Sequence, residues 1–136
     1  MFSINNNLKS SFIVKCNKQE LLQVITNVLN NAIDALSDSS VTNRRLSLTL
    51  KNDKTSRIIV TISNNGPPVP DAQLDDIFEP FFSTKLDAAG TGLGLYIVRQ
   101  ILQKTGGDIT LKNSIKEKPS VDFILTIPTI PKTSNI

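Results

Sequence analysis

Histidine is absent from the 136-residue sequence, and this absence narrows the chemistry that the chain can perform. Without histidine there is no imidazole general base, no Ser-His catalytic triad and no imidazole ligand for a transition metal. The single cysteine, Cys16, excludes an internal disulfide and a multi-cysteine metal site. Any reaction must therefore rely on carboxylates, amides, lysine, hydroxyl groups, the backbone or a hard metal ion.

The sequence also lacks the signals of a membrane segment or a nucleic-acid surface. No stretch approaches the roughly 18 apolar residues of a membrane span, and the N-terminus has no signal-peptide pattern. Tryptophan is absent, and the net charge of +3 is spread over 15 basic and 12 acidic residues. We therefore expect one cytoplasmic domain that binds no nucleic acid and does not itself touch a membrane, whether or not the full-length protein is membrane-anchored.

Hydrophobic patterning predicts an α+β fold with two helices and about five strands. The helical repeats run from about Lys18 to Leu36 and from about Leu93 to Lys104. The predicted strands are SFIVKC, LSLTL, RIIVTIS, DITLKN and VDFILTI, at residues 11–16, 46–50, 57–63, 108–113 and 121–127. We expect a single domain over 1–136, with its core at about 10–128, a tail of low order at 129–136, and helices on one face of a mainly antiparallel sheet.

The first predicted helix carries a polar stripe opposite its apolar face. At about 100° per residue, the stripe comprises Glu20, Gln23, Asn27, Asn31, Asp34 and Asp38, with Asn30 at its edge. A solvated face is the simplest explanation, but such faces usually carry good helix formers, and asparagine is a poor one. Asn27 and Asn31 lie one turn apart, and amide oxygens in such a row suit Mg²⁺ accompanied by a phosphate ligand.

The sequence GTGLG at residues 90–94 has the composition of an anion-binding loop. It is not a P-loop, because no Gly-Lys-Ser/Thr follows, and it is not a Rossmann fingerprint, because no strand precedes it. Glycines let the backbone approach a ligand, and the free N–H groups of the helix that follows carry partial positive charge. A flexible linker is the alternative, although the packed helix anchors one end of the loop.

Four segments together resemble the ATP-binding catalytic domain of two-component sensor histidine kinases, within the superfamily of gyrase, Hsp90 and MutL. QVITNVLNNAIDAL, RIIVTISNNGPPVP, IFEPFFSTK and GTGLGLYIVRQIL resemble the family's N, G1, F and G2 boxes, in the family's order. The resemblance implies a two-layer α/β sandwich of the Bergerat type, with a mixed sheet covered on one face by helices. It also implies that ATP and Mg²⁺ bind between the first helix and a lid at residues 82–92.

The same resemblance assigns roles to individual residues. Asn31 would coordinate Mg²⁺, and Asn27 would stand where gyrase-like relatives have a glutamate that activates water. An amide cannot abstract a proton, so Asn27 favours phosphoryl transfer over hydrolysis. Lys85 would meet the terminal phosphate and is, with Asn27, a predicted catalytic residue. The predicted ATP-binding set adds to these three residues Asn64, Gly66, Thr84, Gly90, Thr91, Gly92, Leu93, Gly94 and Thr126.

The G1 segment departs from the family pattern D-x-G-x-G at two positions. Asn64 replaces the aspartate that accepts a hydrogen bond from the adenine amino group, and Pro68 replaces the second glycine. An asparagine carbonyl can accept the same bond, but the bond is weaker by roughly 1 kcal/mol without the charge. We therefore expect ATP binding to be retained but weakened. The alternative is a degenerate nucleotide-sensing or pseudokinase module that docks on proteins.

The missing histidine also concerns the phosphate acceptor. Histidine kinases transfer phosphate to a histidine on a dimerising helical hairpin that precedes the catalytic domain. The resemblance therefore implies a dimerisation and phosphotransfer domain, of the same or another chain, as a partner, and a response regulator downstream. Phe78, Phe81 and Phe82 would anchor the lid and dock on this helical partner, or else pack in the core. A hydrolytic ATPase of the gyrase or MutL kind is disfavoured by Asn27.

Overall fold

Seven strands and two helices form two layers in the computed structural model, which describes residues 1–55, 57–82, 92–115 and 117–130. The helices are α1 (Lys18–Leu36) and α2 (Gly94–Lys104). In chain order, the strands are β1 (Phe2–Asn6), β2 (Ile13–Val14), β3 (Leu46–Asn52), β4 (Ile58–Asn64), β5 (Asp108–Ser114), β6 (Ser120–Ile127) and β7 (Thr129–Ile130). Single turns of 3-10 helix occupy Asp71–Gln73 and Asp76–Phe78.

Five of the strands form one mixed sheet in the order β1-β3-β4-β6-β5. β1 runs parallel to β3, whereas the other three neighbouring pairs are antiparallel. The short strands β2 and β7 pair antiparallel in a separate two-stranded sheet. The predicted α+β class, the two-layer arrangement and the five-stranded mixed sheet are therefore confirmed.

Both helices begin and end close to where the sequence predicted. The Asn17 side-chain oxygen caps α1 by accepting hydrogen bonds from the backbone N–H groups of Gln19 at 2.8 Å and Glu20 at 3.1 Å. At the other end, the Arg44 guanidinium donates to the Leu36 carbonyl, which places positive charge at the helix C-terminus. α2 stops before Gly106, whose φ of 90° is the left-handed conformation of a helix cap.

The core lies between the helices and one face of the sheet. Side chains alternate between the two faces along β4 and β6, so that every second residue of each strand is buried against the helices. The side chains that close the core from both layers are Val24, Val28, Ala32, Val60, Ile62, Val98, Leu102, Ile109, Phe123 and Leu125. The opposite face carries mainly hydroxyl groups, among them those of Ser47, Thr49, Thr61 and Ser63.

Two local predictions were wrong. The strand predicted at residues 11–16 is limited to β2 and lies in the small sheet, whereas the edge strand β1 was not predicted at all. Part of the predicted tail is ordered, because Thr129 pairs with Val14 and Ile130 with Ile13. No helix among the described residues is long and apolar enough to cross a bilayer.

Candidate functional site

A cavity of about 610 Å³ opens between the C-terminal half of α1, the loop after β4 and the start of α2. This volume lies in the range of small-molecule sites, which is about 300–1,000 Å³. Its wall on α1 is polar, the loop after β4 supplies a second wall of prolines, and its floor is apolar. The lining residues are Asn31, Asp34, Ala35, Ser37, Asp38, Pro67, Pro68, Val69, Pro70, Gln73, Ile77, Phe82, Leu95, Leu111 and Phe123.

The polar stripe of α1 and the glycine-rich sequence GTGLG meet at Asn27 and Gly94. Asn27 is half-buried, and its side-chain Nδ2 donates a hydrogen bond to the Gly94 carbonyl at 3.3 Å, across 67 residues of sequence. Asn31 lies one turn further along α1 and faces the cavity. The two motifs, which the family resemblance predicts to converge, are therefore joined by a hydrogen bond beside the cavity.

The start of α2 leaves its first backbone N–H groups without a side-chain cap. Leu93 stands at the N-cap position, where its hydrocarbon side chain cannot cap the helix as Asn17 caps α1. Uncapped N–H groups at a helix N-terminus carry partial positive charge and bind anions well. The start of α2, at Gly94 and Leu95, is thus suited to phosphate, and Leu95 lines the cavity.

Gly92 has a conformational reason to be glycine. Its φ is 71°, and a Cβ at this position would lie 2.6 Å from the Phe81 carbonyl carbon. The Phe81 N–H donates to the Gly92 carbonyl at 2.7 Å, which joins the chain on either side of residues 83–91. No contact within the protein requires glycine at position 94, because a Cβ added there would have Asn27 Nδ2, at 4.0 Å, as its nearest neighbour.

Gly66 lets the loop after β4 approach α1. A Cβ there would lie 2.9 Å from the Ala35 carbonyl oxygen and 2.8 Å from Asn64 Oδ1. The Gly66 N–H donates to that same Oδ1 at 2.8 Å. Asn64 is 2% exposed and faces the helices from the end of β4. Neither Asn64 nor Gly66 lines the cavity, although Gly66 lies against Ala35, which does.

Asn113 on β5 holds the proline wall, a role that the sequence analysis missed. Its Nδ2 donates to the Val69 carbonyl at 2.7 Å, and its Oδ1 accepts from the Val69 N–H at 3.1 Å. The two residues are 44 positions apart, so no local pattern indicates the pair. These two hydrogen bonds fix the loop that carries Pro68, which forms a wall of the cavity.

The α1 wall is negatively charged. Asp34 and Asp38 line the cavity, and no lysine or arginine does so among the described residues. The hydroxyl group and then the backbone N–H of Ser40 hold the pKa of Asp38 below its usual value, so Asp38 is ionised at neutral pH. A polyanion in this cavity would therefore need a cation beside it.

The donor set fits a hard divalent cation such as Mg²⁺. Asn31 is exposed to the cavity and its side chain makes no hydrogen bond to another described residue, so its amide oxygen is available as a ligand. Mg²⁺ keeps several waters and usually takes only one or two protein oxygens together with substrate phosphates. The described residues contain no cluster of three or more acidic or cysteine side chains, so they offer no all-protein cage.

Thr126 does not join the site. The buried residues of β6 are Val121, Phe123, Leu125 and Ile127, and alternation therefore places Thr126 on the open face of the sheet, away from the cavity. It also pairs with Ile59 at the opposite end of β4 from Asn64. Thr84, Lys85, Gly90 and Thr91 lie outside the described residues.

The three predicted aromatic residues have different environments. Phe78 is 2% exposed and packs in the core, where the Arg99 guanidinium lies 4.1 Å from its ring centroid. Phe82 lines the cavity, whereas Phe81 is 76% exposed. Core packing therefore holds for Phe78, whereas lid anchoring and docking stay predictions for Phe81 and Phe82.

A family model described as histidine kinase-, DNA gyrase B- and HSP90-like ATPase matches residues 16–131. The chain belongs to this family. Sensor histidine kinase ZraS of Salmonella typhimurium is 36% identical over 131 residues, which cover 96% of this chain and 26% of that protein. The solved catalytic domain of histidine kinase ThkA matches with a TM-score of 0.75 and 32% identity, covering 96% of this chain and 81% of ThkA's.

A second solved structure contains histidine kinase ThkA in complex with the response regulator TrrA. It matches with a TM-score of 0.71 and 28% identity, and it covers 97% of this chain and 35% of that chain. Together these similarities identify an ATP-binding catalytic domain of the sensor histidine kinase type. The chain spans about a quarter of the length of ZraS, so the similarity to that relative concerns one part of it.

Proposed function

We propose that this domain binds Mg²⁺ and ATP in the cavity beside α1 and donates the γ-phosphoryl group to a histidine on a separate dimerisation domain. The observation that carries the proposal is the junction of Asn27 with Gly94, which sets the polar wall of α1 against the uncapped start of α2. A wall of oxygen ligands and a helix N-terminus on one cavity suit a metal-bound triphosphate.

Each part of the cavity would hold a different part of the nucleotide. The phosphates would lie at the start of α2, on the backbone of Gly92, Leu93 and Gly94, and Asn31 would hold the metal. Bound Mg²⁺ would neutralise phosphate charge next to Asp34 and Asp38. The base would lie deeper, beside Asn64 and Gly66.

The residues of the F and G2 segments complete the proposal by their resemblance to the family. Lys85 would contact the terminal phosphate, and Thr84, Gly90 and Thr91 would contribute donors around the phosphates. A lysine here would supply the positive charge that the described lining lacks.

Asn27 would hold the start of α2 against α1 and would not act as a base. Its Nδ2 already donates to the Gly94 carbonyl, and an amide is too weak a base to activate water. Phosphoryl transfer to another group is therefore favoured over hydrolysis. Since these 136 residues contain no histidine, the acceptor would belong to a dimerisation domain outside them, and a response regulator would take the phosphoryl group next.

Titration with a fluorescent ATP analogue, with and without Mg²⁺, tests the proposal. We expect saturable binding whose affinity rises when Mg²⁺ is added. Asn31→Ala should remove most of that rise, because it removes the metal ligand. Asn30→Ala is the matched control, since Asn30 is exposed on the same helix and does not line the cavity.

Two outcomes would contradict the proposal. If binding does not saturate at millimolar nucleotide, the domain does not bind ATP, and the alternative of a protein-docking module is favoured. Steady ATP turnover by the isolated chain would instead indicate a hydrolytic ATPase. Transfer of labelled phosphate from ATP to an added histidine-bearing dimerisation domain would support the kinase assignment.

A further inference from the structure

A second cavity, of about 240 Å³, opens at the end of the sheet where β1, β3 and β6 begin and β4 ends. It shares no lining residue with the cavity beside α1. No aspartate or glutamate lines it within the described part of the chain, so its charge is opposite to that of the α1 wall. Its side chains that can bind an anion are Ser3, Ser47, Ser63, Ser120, Arg45 and Lys118.

Three of these hydroxyl groups form a row across neighbouring strands. Ser3 pairs in register with Ser47, and Ser47 pairs with Ser63. Ser63 lies between two buried residues of β4, so the row is on the sheet face that points away from the helices. None of the three hydroxyl groups hydrogen-bonds to another described residue, and neighbouring strands are only about 4.8 Å apart. The row therefore offers three free donors side by side.

Arg45 brings a half-buried positive charge to the same place. Its backbone N–H donates to Asn65 Oδ1 at 2.7 Å and its carbonyl accepts from the Asn65 N–H at 3.3 Å, which fixes Arg45 beside the end of β4. Its guanidinium has no acidic partner among the described residues, and neither has the exposed ammonium of Lys118. A guanidinium donates from several N–H groups in a plane and binds oxyanions with two parallel hydrogen bonds.

The nearest carboxylate lies outside the cavity lining. Asp122 stands opposite Ser63 on one side and opposite Lys112 on the other, at the far end of the hydroxyl row. Its Oδ1 accepts from the Ser120 hydroxyl at 2.8 Å, so this hydroxyl is already engaged. The negative charge of Asp122 opposes an anion in the cavity, and its removal should therefore strengthen binding.

We propose that the second cavity binds phosphate, as the free ion or as a small phosphomonoester. A phosphate group carries a charge of about −1.5 to −2 at neutral pH and three or more oxygens that accept from hydroxyl and guanidinium donors at once. A carboxylate has one charge and two oxygens in a plane, and so satisfies fewer of these donors. The volume lies below the range of about 300–1,000 Å³ that holds larger organic ligands, which limits the occupant to a small anion.

Backbone amide NMR of the 136-residue chain, titrated with inorganic phosphate and separately with glycerol 3-phosphate, tests the proposal. We expect saturable shifts of the Ser47 and Ser63 signals in the low millimolar range. The Leu95 signal reports the nucleotide cavity separately. Sodium acetate and sodium chloride at equal ionic strength should not reproduce the shifts, because neither presents a tetrahedral oxyanion.

Three variants locate the site by charge. Arg45→Gln should weaken phosphate binding about tenfold, because it removes the strongest donor of the cavity. Lys51→Gln is the matched control: it makes the same change in charge on β3, but Lys51 lies about 20 Å further along the strand, beyond the screening distance at physiological ionic strength. Asp122→Asn should tighten binding severalfold.

Either probe can support the proposal, and their order identifies the source: tighter inorganic phosphate indicates the free ion, and tighter glycerol 3-phosphate indicates an esterified group. Shifts that do not saturate in the millimolar range, or that acetate reproduces, would overturn it. Equal loss of binding in Lys51→Gln and Arg45→Gln would also overturn it, because the effect would then be one of net charge. The comparison of phosphate with acetate needs no variant to fold, and failure of ATP to bind would leave this inference intact.

Discussion

Substituting Gly66 by alanine tests how the G1 loop meets α1. The new Cβ would lie 2.8 Å from Asn64 Oδ1, 2.9 Å from the Ala35 carbonyl oxygen and 3.0 Å from the Ala35 Cβ. None of these atoms belongs to a long side chain that can swing away, so the loop must separate from the helix. Such overpacking costs about 1–3 kcal/mol, and loss of the bond between Gly66 and Asn64 adds about 1 kcal/mol.

The expected destabilisation of Gly66→Ala is therefore about 2–4 kcal/mol, which for a chain of this length lowers Tm by roughly 8–16 °C. Differential scanning calorimetry measures it directly. Gly94→Ala is the matched control, because its Cβ would meet nothing closer than Asn27 Nδ2 at 4.0 Å and alanine favours the helix. If the two variants unfold at the same temperature, the close approach at Gly66 does not limit stability and the reasoning is refuted.

Two further predictions concern the turn at Gly92, before α2, and the loop of the β3–β4 hairpin. Gly92→Ala should break the bond from the Phe81 N–H and weaken nucleotide binding in the fluorescence titration without unfolding the domain, because alanine disfavours a φ of 71°; unchanged affinity would count against a role for this turn. The hydrogen bond from the Thr55 hydroxyl is the main reason why the pKa of Asp53 is lowered to about 2. The ionised carboxylate therefore stabilises the fold at pH values above the pKa that Asp53 has in the unfolded chain, and this stabilisation is lost as pH falls through about 2. Carboxylate NMR should give a midpoint near 2 that rises in Thr55→Val, and a midpoint at an ordinary aspartate value in the unmodified chain would contradict the contact.

Most of the fold follows from local pattern. α1 was predicted over its observed range because its apolar residues recur with helical period and polar residues surround its ends. β1 was missed because its sequence, FSINN, has little strand character of its own, and its pairing with β3 is a tertiary contact. The same holds for Thr129, whose partner lies more than 100 residues earlier in the chain.

The site was predictable in its composition but not in its geometry. The N and G2 segments were expected to converge, and the bond from Asn27 to Gly94 joins them. Thr126 was assigned from a motif, whereas the alternation of β6 places it on the open face of the sheet and outside the cavity lining. The direction of the Asn64 amide depends on the Gly66 N–H in three dimensions, and no sequence pattern encodes it.

The most direct test of the account is to locate the bound nucleotide by NMR. A non-hydrolysable ATP analogue with Mg²⁺ at saturating concentration should shift the backbone amide signals of Asn31, Ala35 and Leu95, which line the cavity. The signals of Thr61 and Thr126, on the open face of the sheet, should not move. Largest changes on the open face, or none around the cavity, would contradict the proposal that the nucleotide binds between α1 and the start of α2.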